Sequence, residues 1–135
     1  MRRRKLLTVA LLAFALAAGV GAARGAAVDQ AVITVHHSQF VPGAMSFEKG
    51  DTVTFVLVNT DPIDHEFILG DEEVQDRHEF GTEAHHDSIP TEVSLPAGTT
   101  VRTTVTFDEP GKLIIGCHLP GHYRYGMRAQ VTVRG

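Results

Sequence analysis

From Ala31 onward the chain sets apolar against polar side chains in short runs closed by Gly, Pro, Asn and Asp. Ala31 to His36 places Ile33 and Val35 on one face and Thr34 and His36 on the other. A period of two marks a strand with one buried face. Ala44 to Glu48 repeats the pattern and stops at Lys49-Gly50-Asp51, a turn signal. Thr52 to Val58 is β-branched and aromatic, as a buried strand is, and Asn59-Thr60-Asp61-Pro62 breaks it. Glu66 to Leu69, Thr91 to Leu95, Thr99 to Phe107, Lys112 to Gly116 and Arg128 to Arg134 complete the set, with turns at Pro96-Ala97-Gly98 and Glu109-Pro110-Gly111. These short strands, with no internal repeat and no strand–helix alternation, predict an all-β sandwich.

Asp71 to Pro90 departs from this rhythm. It carries seven acidic residues and three histidines and has little strand character. Glu72 to Phe80 is predicted to form a short helix N-capped by Asp71, and Asp71-Glu72-Glu73 suits the positive end of the helix dipole. Residues 71–90 are therefore expected to be a short, partly helical acidic insertion on one face or end of the sandwich.

The first 27 residues follow a different logic. Arg2, Arg3, Arg4 and Lys5 precede a Leu/Ala-rich run and a tail of mostly small residues ending near Ala27. That layout predicts a secretory signal over residues 1–27 and a single domain over 28–135. The product would then be periplasmic or otherwise exported. It would meet a membrane only through the signal segment, should cleavage fail. No cysteine lies near the cleavage zone, which excludes a bacterial lipoprotein. Past residue 27, sixteen acidic residues face seven basic ones, a net charge of −9. An acidic exported domain is a poor nucleic-acid binder, but it can be steered toward a basic redox partner.

The chain has one cysteine, which cannot form an internal disulfide. A free thiol in an oxidising compartment needs a reason to exist, and metal ligation supplies one. Cys117, His122 and Met127 follow one another with four residues between each pair. Thiolate, imidazole and thioether, with one more histidine, are the donors of a blue-copper electron-transfer site. His65 is the best candidate for the fourth, because it follows the Asn59-to-Asp64 turn at the start of a strand. His118 adjoins Cys117 on extended backbone and is expected to face away from the metal. His78, His85 and His86 are candidates for a second metal, but acidic surface loops with histidines are common without one. His36 and His37 are expected to be exposed strand residues, and Met45 to be core.

The pattern Phe40-x-Pro42, Met45-x-Phe47, Gly50-Asp51-Thr52-Val53-x-Phe55, Asn59-x5-His65 and then Cys-x4-His-x4-Met resembles the plastocyanin/azurin (cupredoxin) family over about residues 30–135. His65-Glu66-Phe67, the acidic insertion and the loop Cys117 to Met127 are most similar to a bacterial subgroup of exported cupredoxins, some linked to copper resistance. The resemblance implies a Greek-key β-sandwich with one type 1 copper per chain at its end. It implies His65, Cys117 and His122 as strong ligands and Met127 as a weak axial one. It also implies that the His122 edge is the electron port to a redox partner, in an apolar patch to which Leu119, Pro120 and Pro42 contribute. Many members carry Asn or Ser after the first ligand histidine, bracing the two ligand loops. Glu66 stands there in this chain, so a different brace is expected. Gly116 replaces the first histidine of the similar multicopper-oxidase signature, and a binuclear copper A centre would need a second cysteine. The expected function is one-electron transfer without catalysis, with envelope copper resistance by sequestration or handover as the alternative. A nitrite-reductase-like enzyme would need a second, catalytic copper.

Overall fold

The computed structural model describes residues 28–81 and 89–135. The expected signal segment and His85 and His86 lie outside the described residues. The strands are β1 (Val28–His36), β2 (Gln39–Val41), β3 (Ala44–Glu48), β4 (Thr52–Asn59), β5 (His65–Gly70), β6 (Glu92–Leu95), β7 (Thr100–Thr106), β8 (Gly111–Gly116) and β9 (Arg128–Arg134), with helix α1 (Glu72–Glu79) between β5 and β6. They form two sheets, ordered β2-β1-β4-β7 and β3-β9-β8-β5-β6. Both are mixed: β1 runs parallel to β4 and β3 parallel to β9, while the other pairs are antiparallel. This is the expected Greek-key sandwich.

The alternation in sequence becomes the interior. Ile33 and Val35 of β1, Val53, Phe55 and Leu57 of β4, and Ala129, Val131 and Val133 of β9 are buried between the sheets. At the end of the core away from the cysteine loop, Phe47 stacks on Phe107 at 4.9 Å and meets the Phe55 ring edge-on at 5.9 Å. Met45 packs against this core partly buried, as expected. On the solvent side of β4, Thr52 and Thr54 pair with Thr106 and Thr104 through hydroxyls 3.0 Å apart, a cross-strand polar ladder.

β5 breaks the alternation, with all six residues buried. Its inner face belongs to the core, and α1 covers the outer one. The helix starts as expected: Asp71 accepts a hydrogen bond from Val74 N at 2.9 Å. It docks so closely that a Cβ on Gly70 would lie 2.5 Å from Val74 Cβ. Gln75, on the docking face, is 1% exposed.

One expected element is corrected. His36 and His37 were expected to be exposed strand residues; both are exposed, and β1 ends at His36 as expected, but His37 lies outside any strand. His37 and Ser38 turn with φ of 51° and 54° into the unanticipated strand β2. Two left-handed non-glycine residues in succession are uncommon, and tertiary contacts described below hold them.

Candidate metal centre

Three side chains converge at the end of the sandwich where β5 begins and β8 ends. His65 opens β5, Cys117 follows β8, and His122 stands on the loop between β8 and β9. Their donor atoms all lie within 4.8 Å of one another. His65 Nδ1 is 3.3 Å from His122 Nδ1, and Cys117 Sγ is 3.2 Å from His122 Nδ1 and 3.9 Å from His65 Nδ1. Donors bound to one ion at N and S ligand distances, with tetrahedral to trigonal angles, sit about 3.3–3.8 Å apart. The observed separations straddle that range, so the donor set fits one copper ion.

Two tight turns fold the loop that carries these residues. Gly121 and Gly126 have φ of 86° and 97°, where a side chain is strained. Tyr125 N donates to Gly121 O at 2.9 Å, and Met127 N donates to His122 O at 3.0 Å. Cys117 N then donates to Met127 O at 3.3 Å and closes the loop. Met127 is 1% exposed, against 0% for Cys117, and both belong to the core cluster.

The loop before His65 is organised by Asn59, which is 2% exposed. Its amide donates to Ile63 O and Leu95 O, each at 2.9 Å, and its Oδ1 accepts from Asp61 N at 3.0 Å. Asp61, thus placed, accepts a hydrogen bond from His65 Nε2 at 2.9 Å. That ring proton is then committed, and Nδ1 presents its lone pair to the other two donors.

Electrostatics prepare the same donors. Burial pushes the Cys117 thiol up to about 11, against the N–H groups of Leu119 and Glu66, which pull it down. Burial, followed by the neighbouring His65, lowers the His122 imidazole, which favours the neutral form that can ligate. Burial alone would raise the Asp61 carboxyl, but N–H donors from Ser38 and His37, with His65, outweigh it and hold it low.

Glu66 supplies the different brace that was expected. Its Oε2 accepts from His118 N at 3.1 Å, tying β5 to the backbone beside Cys117. His118 faces away from the three donors, as expected. Its Nε2 donates to Gln75 Oε1 at 2.8 Å, its Nδ1 lies 3.0 Å from Glu79 Oε2, and its ring stacks on Tyr123 at 4.4 Å. Gly116 is required by this packing: a Cβ there would collide with Gln75 Oε1 and come within 2.9 Å of the Tyr123 ring.

Of the other candidates, His78 lies on α1 with its Nε2 3.4 Å from Glu92 Oε1. His36 is exposed and meets Thr60 Oγ1 at 3.1 Å. Reasoning from sequence missed Asp61 and Gln75. The position of Asp61, four residues before the candidate ligand histidine, was the one available signal.

A β-sandwich in which a buried thiol and two imidazoles converge at one end has the architecture of a cupredoxin. The chain belongs to the family of copper binding proteins of the plastocyanin/azurin type, whose family model matches residues 28–134. Among relatives, it is 32% identical over 99 residues to the copper-resistant cuproprotein CopI of Rubrivivax gelatinosus, a match covering 71% of this chain and 60% of that protein. It is 29% identical over 128 residues to CopI of Pseudomonas aeruginosa, covering 70% of each. The chain thus spans less than two thirds of the Rubrivivax protein. Among solved structures, auracyanin A, a "blue" copper protein from Chloroflexus aurantiacus, has the same fold. Its TM-score is 0.65 at 19% identity, covering 80% of this chain and all of that one.

Proposed function

We propose that the protein is an exported, mononuclear type 1 copper protein that carries single electrons. His65, Cys117 and His122 would be the strong ligands and Met127 the weak axial one. Bound copper would supply a Cu(I)/Cu(II) couple. The residues supply the rest. A soft thiolate suits the reduced ion, and imidazoles suit both states. Two glycine turns and the Asn59 hub hold the donors at ligand separations, so little must move when an electron arrives or leaves. His122 is half-buried where the other donors are fully buried, which supports its ring as the route to a redox partner. Pro120 and Pro42 are exposed and Leu119 is half-buried, and they would give the partner an apolar contact. No catalytic role is assigned. Among the described residues no helix is long and apolar enough to cross a membrane. The export proposal for residues 1–27 rests on sequence.

The observation that carries the reading is the convergence of the two imidazole Nδ1 atoms on the Cys117 sulfur. Titrating the metal-free protein with copper tests it. One ion per chain, an intense thiolate-to-copper absorption and reversible one-electron reduction are expected. A colourless complex, or one that cannot be cycled, would refute it.

Uptake should depend on pH. The thiol, pushed up to about 11, is protonated at neutral pH, and a thiolate ligand must lose that proton. Copper binding then releases about one proton, and apparent affinity rises about tenfold per pH unit between about pH 7 and 9. Calorimetry in two buffers of different ionisation enthalpy measures the proton, and uptake with no proton released would count against Cys117 as a ligand.

The CopI relatives favour a second reading, envelope copper resistance by sequestration or handover. Growth of a deletion strain in excess copper separates the two. Sensitivity rescued by a copper-binding but redox-inactive variant would favour resistance over electron transfer.

A further inference from the structure

Asp61 is 6% exposed and links two segments that the sheets leave independent. From the turn between β1 and β2, His37 N donates to its Oδ1 at 2.7 Å and Ser38 N donates to its Oδ2 at 2.8 Å. From the other side His65 Nε2 donates to the same Oδ2 at 2.9 Å. Two successive N–H groups from left-handed residues form a cradle for an anion, and here the anion is a side chain. Asn59 fixes the carboxylate from behind through Asp61 N.

We propose that Asp61 is a positioning residue for the metal centre. It locks the His37–Ser38 turn, holds His65 in its Nε2–H tautomer, and sets a negative charge one imidazole away from the bound ion so that the oxidised state is favoured. This rests on the reading of His65 as a copper ligand. A neutral acceptor holds an imidazole proton less firmly than a carboxylate does. A carboxylate also makes the ring more basic and stabilises the higher charge of Cu(II) over Cu(I). The same contact therefore sets both geometry and preference between oxidation states.

The test is Asp61→Asn, which keeps the shape and one acceptor and removes the charge. Should the turn fail without the carboxylate, Ser38→Gly/Asp61→Asn keeps it, because glycine takes a φ of 54° without strain. In the better-folded of the two variants, Cu(II) affinity is expected to fall about tenfold relative to Cu(I). The reduction potential then rises by about 59 mV for that tenfold change. In the metal-free protein, nitrogen NMR of the His65 ring should show the Nε2–H tautomer in the wild type and a mixture in the variant. A variant that loses only thermal stability, with potential and tautomer unchanged, would overturn the proposal and leave Asp61 a turn anchor. The tautomer is read without metal, so a wild type that forms no coloured copper complex would sink the copper reading separately.

Discussion

Replacing Cys117 by serine is expected to abolish the thiolate-to-copper absorption and to weaken copper binding by more than the ~100-fold that loss of an outer hydrogen-bond partner costs. The sulfur is the one thiolate in the converging set, and its loss removes the charge-transfer chromophore and most of the affinity for Cu(I). The fold should survive. Serine has nearly the same shape, and the N–H groups of Leu119 and Glu66 that face the sulfur can serve a hydroxyl oxygen, so the stability change stays within about 1–2 kcal/mol. His65 and His122 would retain weak, colourless Cu(II) binding. Visible spectroscopy and competition against a Cu(I) chelator measure the two losses. If the serine variant keeps the band, the centre lies elsewhere.

Gln75→Ala is expected to destabilise the protein by about 3 kcal/mol, because it strands several buried polar groups at about 1–3 kcal/mol each. The Gln75 amide donates to Ile68 O at 3.1 Å and Ile114 O at 2.9 Å, while its Oε1 accepts from His118 Nε2 at 2.8 Å. One side chain thus ties α1, β5, β8 and the residue after the cysteine. Gln75→Glu keeps the size and the acceptor but loses both N–H donors, and it places a carboxylate against the carbonyl oxygens of Ile68, Gly70 and Ile114. Its loss should be at least as large. A melting temperature lower by about 12–20 °C is the expected readout, with the copper absorption little changed because His118 faces away from the donors. A variant as stable as the wild type would mean that water or a neighbour takes over these bonds.

Most of the sandwich was legible because one buried face writes a period of two into β1, β4 and β9. The ligand set was legible because its residue types are scarce: one cysteine, and a histidine and a methionine at even spacing after it. Three features were hidden, for a shared reason. The turn at His37–Ser38 lacks the Asn-Gly chemistry that announces a hairpin, because Asp61, far along the chain, supplies what local sequence does not. Gln75 reads as one more polar residue on an acidic helix, and only the close approach of α1 at Gly70 makes it interior. A different brace was expected at Glu66, but its partner, the His118 amide, was not legible. Periodicity reports which face is buried, but it cannot report a polar side chain whose partners come from distant segments.

Gly116 has a consequence for mutation. The histidine that stands at this point in the similar oxidase signature has no room here, since Gln75 and the Tyr123 ring occupy the space beside the backbone. A side chain at Gly116 would force Gln75 and the Tyr123 ring to shift, and displacing Gln75 would break the contacts that seat α1. The tolerance of this position to mutation is therefore set in part by the insertion helix, through Gln75, and in part by Tyr123 of the ligand loop.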